Sequence, residues 1–134
     1  MKKSSVLRVE TTKRNEAIDL TRPIRAFLRE QEAEDGVLIV YVPHTTAAVT
    51  INENADPDVR HDILTHLSKL VPLDSGFRHA EGNSDAHIKT SLVCPSVSVL
   101  VSNGEPVLGT WQSIFFYEFD GPRDRKVYLK FLSD

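Results

Sequence analysis

Gly36-Val37-Leu38-Ile39-Val40-Tyr41-Val42-Pro43-His44-Thr45-Thr46-Ala47-Ala48-Val49-Thr50-Ile51 is the stretch that decides the fold. The apolar, β-branched run from Val37 to Val42, bounded by Gly36 and Pro43, predicts a strand buried on both faces and central in its sheet. A polar corner follows at His44-Thr45-Thr46. The alternation Ala47, Val49, Ile51 then predicts a second strand, with Asn52-Glu53-Asn54 at its end.

Upstream, Val6, Leu7 and Val9 with Thr11 and Thr12 predict a first strand, and Ala17, Ile18 and Leu20 a short second one. Thr21 reads as a helix cap, Pro23 falls in the first turn, and Ile24, Phe27 and Leu28 form one stripe, so a helix is expected over Pro23 to Ala33. Downstream, Asp56 and Pro57 open a second helix whose stripe is Val59, Ile63, His66, Leu67 and Leu70, and Pro72 stops it. Leu73 to Ala86 is polar, contains Gly76 and Gly82, and reads as a long site loop. Beyond it strands are expected at His87 to Val93, through Val97, Val99 and Val101, at Val107 to Phe119 and at Lys126 to Leu132. Asn103-Gly104 and Asp120-Gly121-Pro122 provide the turns. Helices set among mainly antiparallel strands predict an α+β single domain over residues 1–134, with sheet layers and two main helices, not a doubly wound parallel sheet.

The chain has 134 residues, 40% of them hydrophobic, enough for one core without disulfide or metal staples and too few for a (β/α)₈ barrel. Sixteen Lys and Arg against nineteen Asp and Glu give a formal charge of −3, which argues against phosphate-backbone binding to nucleic acid and against a polybasic membrane foot. Met1-Lys2-Lys3-Ser4-Ser5 is not followed by an apolar leader segment, and no apolar run is long enough to span a bilayer. With the single cysteine, Cys94, these features predict a soluble protein of the reducing cytoplasm.

Three of the histidines, His44, His79 and His87, fall at expected strand ends or in polar loops. On an extended chain residues i and i+2 face one side, so Asp85 and His87 can converge on one ion, with Asn83 beside them and His44 arriving from another strand. Two histidines and a carboxylate leave open positions and suit a catalytic divalent metal, zinc or magnesium. The bland alternative is that Asp85 only orients the imidazole or faces solvent. His66 falls in a helical stripe and reads as packing, and His61 as solvated. Arg123, Arg125 and Lys126 bring cations to one turn, suited to phosphate or carboxylate, although charges also keep an edge turn soluble. Gly109-Thr110-Trp111-Gln112 interrupts a strand with a glycine, as at a bulge or a close approach by ligand; core packing of Trp111 is the equal alternative.

Taken together, Pro43-His44-Thr45-Thr46-Ala47-Ala48, Ile51-Asn52-Glu53-Asn54 with Asp56-Pro57-Asp58-Val59, His79, Gly82-Asn83-Ser84-Asp85-Ala86-His87-Ile88-Lys89, Gly109-Thr110-Trp111-Gln112 and Glu118-Phe119-Asp120-Gly121-Pro122-Arg123 resemble the YjbQ-like proteins, described as secondary thiamine-phosphate synthases. The resemblance runs from about Thr21 to Leu132. It implies a homotrimer with a metal-bearing pocket near subunit boundaries, and carries His44 and His87 over as ligands. Asp85 stands where many members have histidine, so a carboxylate ligand is expected there. The implied activity joins hydroxymethylpyrimidine diphosphate to a thiazole phosphate and releases pyrophosphate. On that reading Glu53, Asn52 and Arg123 are catalytic, and Thr45, Asn83, Trp111, Gln112 and Arg125 hold substrate. A metal-dependent phosphohydrolase and a non-enzymatic trimeric protein that binds a metal or metabolite are the competing readings. All three take a phosphorylated small molecule or an ion as partner.

Overall fold

In the computed structural model, which describes residues 4–134, Gln112–Glu118 is the strand buried on both faces. Ile114 and Phe116 join one apolar cluster; Phe115 and Tyr117, on the other side of the pleat, join a second. This strand, β7, is the centre of a three-stranded antiparallel sheet in the order β2-β7-β4, where β2 is Glu16–Asp19 and β4 is Ala47–Glu53. A second, five-stranded sheet runs β1-β8-β3-β5-β6, from Ser4–Glu10 through Asp124–Ser133, Gly36–Tyr41 and Ser96–Ser102 to Glu105–Pro106. Met1-Lys2-Lys3, the head of the segment expected to lack an apolar leader, lies outside the described residues.

The layers follow from which side chains each strand presents. Leu38, Val40, Val99, Val127 and Leu129 from the large sheet meet Val49, Ile114 and Phe116 from the small one. Helix α1, Thr21–Glu30, closes that core with Ile24, Phe27 and Leu28. The far face of the small sheet, with Ala48, Phe115 and Tyr117, is covered by Ile63, Leu64 and Leu67 of α2, Pro57–Leu70, and by Ala86 of α3, Ser84–Val93. This α+β arrangement of antiparallel sheets and helices is the one expected.

Several expectations are corrected. The Val37–Val42 strand is central in its sheet, but only Leu38, Val40 and Val42 are buried; Val37 and Ile39 are half-buried and Tyr41 exposed, because nothing among the described residues covers that face. His87 to Val93 is helical, not extended, so there are three helices. The buried face of α3 consists of Asp85, Ala86, Lys89 and Thr90, so its helical period is carried by polar residues and not by an apolar stripe. The long strand expected over Val107 to Phe119 is split: after β6 the chain is irregular to Trp111, held by the Gly109 amide on Gln112 Oε1 and the Gln112 amide on Gly109 oxygen. Thr21 does not cap α1. Its amide donates to Asp19 Oδ1, while its own hydroxyl accepts the Ile114 amide across the core. The hairpin at Asn103-Gly104 forms as expected, with positive φ at both residues. At the opening of α2, Asp56 accepts the Asp58 amide and Pro57 sits in the first turn.

Candidate functional site

The turn between β3 and β4, the approach to α3 and the turn between β7 and β8 meet at one end of the molecule and enclose a cavity of about 340 Å³. Pro43 to Thr46 line one side; Glu81, Asn83 and His87 another; Asp120, Arg123 and Arg125 complete it. The Phe119 amide bonds Thr46 oxygen and the Lys126 amide bonds His44 Nε2, which joins two of these segments, and Asn83 Nδ2 joins the approach to α3 by donating to Asp120 Oδ2.

Beneath the cavity lies a buried ion pair. Arg125 donates through Nε and Nη2 to both carboxylate oxygens of Glu118, and Nη2 also reaches the Thr46 hydroxyl at 2.8 Å. Glu118 in addition accepts the Thr11 hydroxyl and the amides of Phe119 and Asp120. Burial works to raise the Glu118 pKa, but the bonds from Arg125, the Asp120 amide and Thr11 outweigh it, and the net direction is downward. Arg125 therefore lines the cavity, as expected of a substrate residue, with its charge already matched. Arg123 stands differently: it is exposed, and gives only Nε to Asp120 oxygen and one Nη2 hydrogen to Asp120 Oδ2. Its remaining donors have no partner in these bonds.

His44 accepts the Lys126 amide at Nε2, at 2.9 Å. Burial first, then the positive charges of Arg125 and Lys126, lower its pKa, so the ring is neutral near pH 7 and its proton resides on Nδ1. It is a hydrogen-bond donor with no lone pair left for a metal. Asp85 is wholly buried and gives its two oxygens to Arg14 at 2.9 and 3.0 Å and one of them to Lys89 at 3.4 Å. On a helix, residues two apart face opposite sides, so Asp85 turns inward while His87 lines the cavity. His79 packs edge-on to His87, ring centroids 5.5 Å apart, and lies 3.7 Å from Glu81. Of the expected metal set, His87 alone keeps a ring-nitrogen lone pair uncommitted by these contacts. Among the described residues no three His, Cys, Asp or Glu side chains gather at a common point. The divalent ion implied by the family resemblance does not fit His44, Asp85 and His87 as the structure arranges them.

The remaining expected residues divide by location. Thr45 and Asn83 line the cavity with Arg123 and Arg125. Glu53, Asn52, Trp111 and Gln112 do not. Ala47 pairs with Glu118 and Glu53 with Gln112, so these residues occupy the opposite end of β4 and β7, about 20 Å away along the strands. Asn52 caps the Glu53 amide, and Trp111 is exposed. The residues missed in the sequence, Glu118 and Asp120, had a readable signal. Glu118 occupies the phase of Ile114 and Phe116 on its strand, Arg125 that of Val127 and Leu129 on the next. Opposite charges in the core phase of two strands joined by one turn predict a buried pair.

A family model described as UPF0047 protein YjbQ-like matches residues 5–134. A UPF0047 protein of Methanocaldococcus jannaschii is 54% identical over 94% of this chain and 91% of its own. The UPF0047 protein YugU of Bacillus subtilis is 51% identical over 94% and 96%. Among solved structures, an uncharacterized conserved protein of the YjbQ/UPF0047 family from Clostridium acetobutylicum superposes with TM-score 0.94 at 48% identity, covering 96% of this chain and 99% of that one. A hypothetical protein from Aeropyrum pernix does so at 0.93 and 36%, covering 98% of both chains. With the fold and nearly the whole length in common, the chain belongs to the YjbQ-like UPF0047 family.

Proposed function

We propose that the cavity binds the phosphate groups of a small molecule and that the protein is a transferase acting on a diphosphate ester, with thiamine-phosphate synthesis as its reaction. The observation that carries this is that Arg123 and His44, each with a donor uncommitted by the bonds above, line the same polar cavity, over a floor whose charges cancel. In the reaction the thiazole nitrogen uses its lone pair to attack the methylene carbon of hydroxymethylpyrimidine diphosphate. The C–O bond to the diphosphate breaks, and pyrophosphate leaves with that electron pair. Arg123 and His44 are placed to donate to oxygens on which the charge grows.

Homotrimeric assembly accompanies this reading. It is supported by the uncovered outer face of the large sheet, where Val6, Tyr128 and Tyr41 form one cross-strand row and Leu132, Val37 and Leu100 another. In such an assembly the Glu53 and Trp111 end of one copy can complete a neighbour's cavity. A cytoplasmic setting is supported by the lone, exposed Cys94. No helix of the described residues is long and apolar enough to cross a membrane.

The test is direct. Purified protein given the two phosphorylated precursors should form thiamine phosphate, and Arg123→Ala should lower kcat/KM by about 10² or more. Phosphate release without the thiazole partner would favour a hydrolase, and an Arg123→Ala variant of undiminished activity would remove the proposed anion site.

A further inference from the structure

Three buried side-chain atoms have no hydrogen-bond partner among the described residues: Asn83 Oδ1, Thr90 Oγ1 and the Tyr117 hydroxyl. Of these residues only Asn83 lines the cavity. It is 8% exposed. An unpaired buried carbonyl is uncommon and costly, so its presence at a cavity wall asks for a donor from outside the chain.

The orientation of this amide is settled by its neighbour. Asn83 Nδ2 donates to Asp120 Oδ2 at 2.8 Å, and the same carboxylate accepts Arg123 Nη2 at 3.0 Å and lies 3.8 Å from Arg14. Asp120 Oδ2 already serves as an acceptor for the Arg123 guanidinium. The amide nitrogen must therefore face it, and the oxygen is left free. Asn83 is also the N-cap residue of α3, where an asparagine oxygen ordinarily accepts an amide of the first turn, yet its side chain makes no such bond. The oxygen is withheld from the one local use its position offers.

We infer that Asn83 Oδ1 is a specificity-determining acceptor, and that the natural ligand is a phosphate ester which also carries an N–H or O–H donor. This rests on the phosphate-binding reading of the cavity. Asp120 acts as a positioning residue, since it holds the amide and Arg123 in one setting and so couples recognition of the donor to recognition of the phosphate.

Calorimetric titration of the full chain tests it with inorganic phosphate and two matched pairs of esters. The pairs are 4-aminopyrimidin-5-ylmethyl phosphate against pyrimidin-5-ylmethyl phosphate, and 3-hydroxypropyl phosphate against propyl phosphate. At least one donor-bearing ester should bind about tenfold or more tightly than its mate, the aminopyrimidine pair reporting an amine and the propyl pair a hydroxyl. Asn83→Leu should abolish that ratio, and Asp120→Asn, which frees the amide to turn over, should reduce it as well. If Asn83→Leu fails to fold, Asp120→Asn decides alone. Equal binding within both pairs, or a ratio that survives the substitutions, overturns the inference and leaves the phosphate site standing. If neither inorganic phosphate nor any ester binds, the inference and the proposed function fall together.

Discussion

At the scale of single residues, the Glu118–Arg125 pair decides most. Both side chains are buried, and every oxygen and nitrogen named above has a partner, so the pair is tolerated inside the fold. Removing one partner is a different matter. Glu118→Gln leaves the Arg125 guanidinium buried beside an amide, and should cost about 3–5 kcal/mol of stability, measured by urea denaturation at pH 7. The wild-type protein should also lose stability on acidification in a defined window. The folded Glu118 pKa lies below the ordinary carboxylate value, so between that value, about 4.3, and the lower folded one the unfolded chain takes up a proton that the folded chain refuses. Stability is fully present above the window and falls as pH descends through it. The Glu118→Gln variant should show a shallower slope there, and an unchanged slope would mean that other carboxylates govern the acid limb.

At the scale of elements, turns fix the cavity and glycine permits one of them. A Cβ on Gly121 would lie 2.2 Å from the Lys13 carbonyl oxygen and 2.8 Å from both the Glu118 side chain and the Thr11 hydroxyl. The turn between β7 and β8 is thus pressed against the end of β1, with the Gly121 amide bonded to Arg14 oxygen and the Thr11 amide to Arg123 oxygen. Gly121→Ala should cost about 1–3 kcal/mol by thermal denaturation and weaken inorganic phosphate binding, because Asp120 and Arg123 flank the displaced residue. Full stability with full binding would show that the turn yields without moving them.

Elements also explain what the sequence made legible. Helix α2 is announced by Asp56, Pro57 and an apolar stripe, and the Val37 run by its uninterrupted branching; both form where expected. Helix α3 was hidden because its inward residues are Asp85 and Lys89, which pair with each other, and the further partner of Asp85, Arg14, lies in a loop seventy-one positions earlier in the chain. That misreading carried the metal triad with it, since the convergence of Asp85 and His87 required an extended backbone. That His44, Asn83 and Arg123 stand in polar segments was legible, and the structure brings all three to the cavity. The commitments of their individual atoms were not, because each depends on a partner from a different turn.

At the scale of the whole molecule, the two faces of the large sheet differ. Inward residues are sealed against the small sheet; outward, Tyr41 stacks on Tyr128 at 6.4 Å and Leu100 and Leu132 stand exposed. An apolar band of this kind marks an interaction surface. If the proposed trimer forms through this face, Leu100→Lys should shift it to monomer in size-exclusion chromatography with light scattering while preserving the far-ultraviolet circular dichroism of the fold. A wild-type protein already monomeric at micromolar concentration would contradict the assembly.

The matched charges under the cavity have one more effect. Because Arg125 is answered from below by Glu118, the parts of the site that hold the sheets together are separate from the parts that meet solvent, Glu81, His87 and Arg123. Substitutions at those three rim positions can change what the cavity accepts with little penalty to folding. The scaffold is in this sense open to divergence: one architecture can be given a different specificity by exchanging its rim, while the pair beneath it stays fixed.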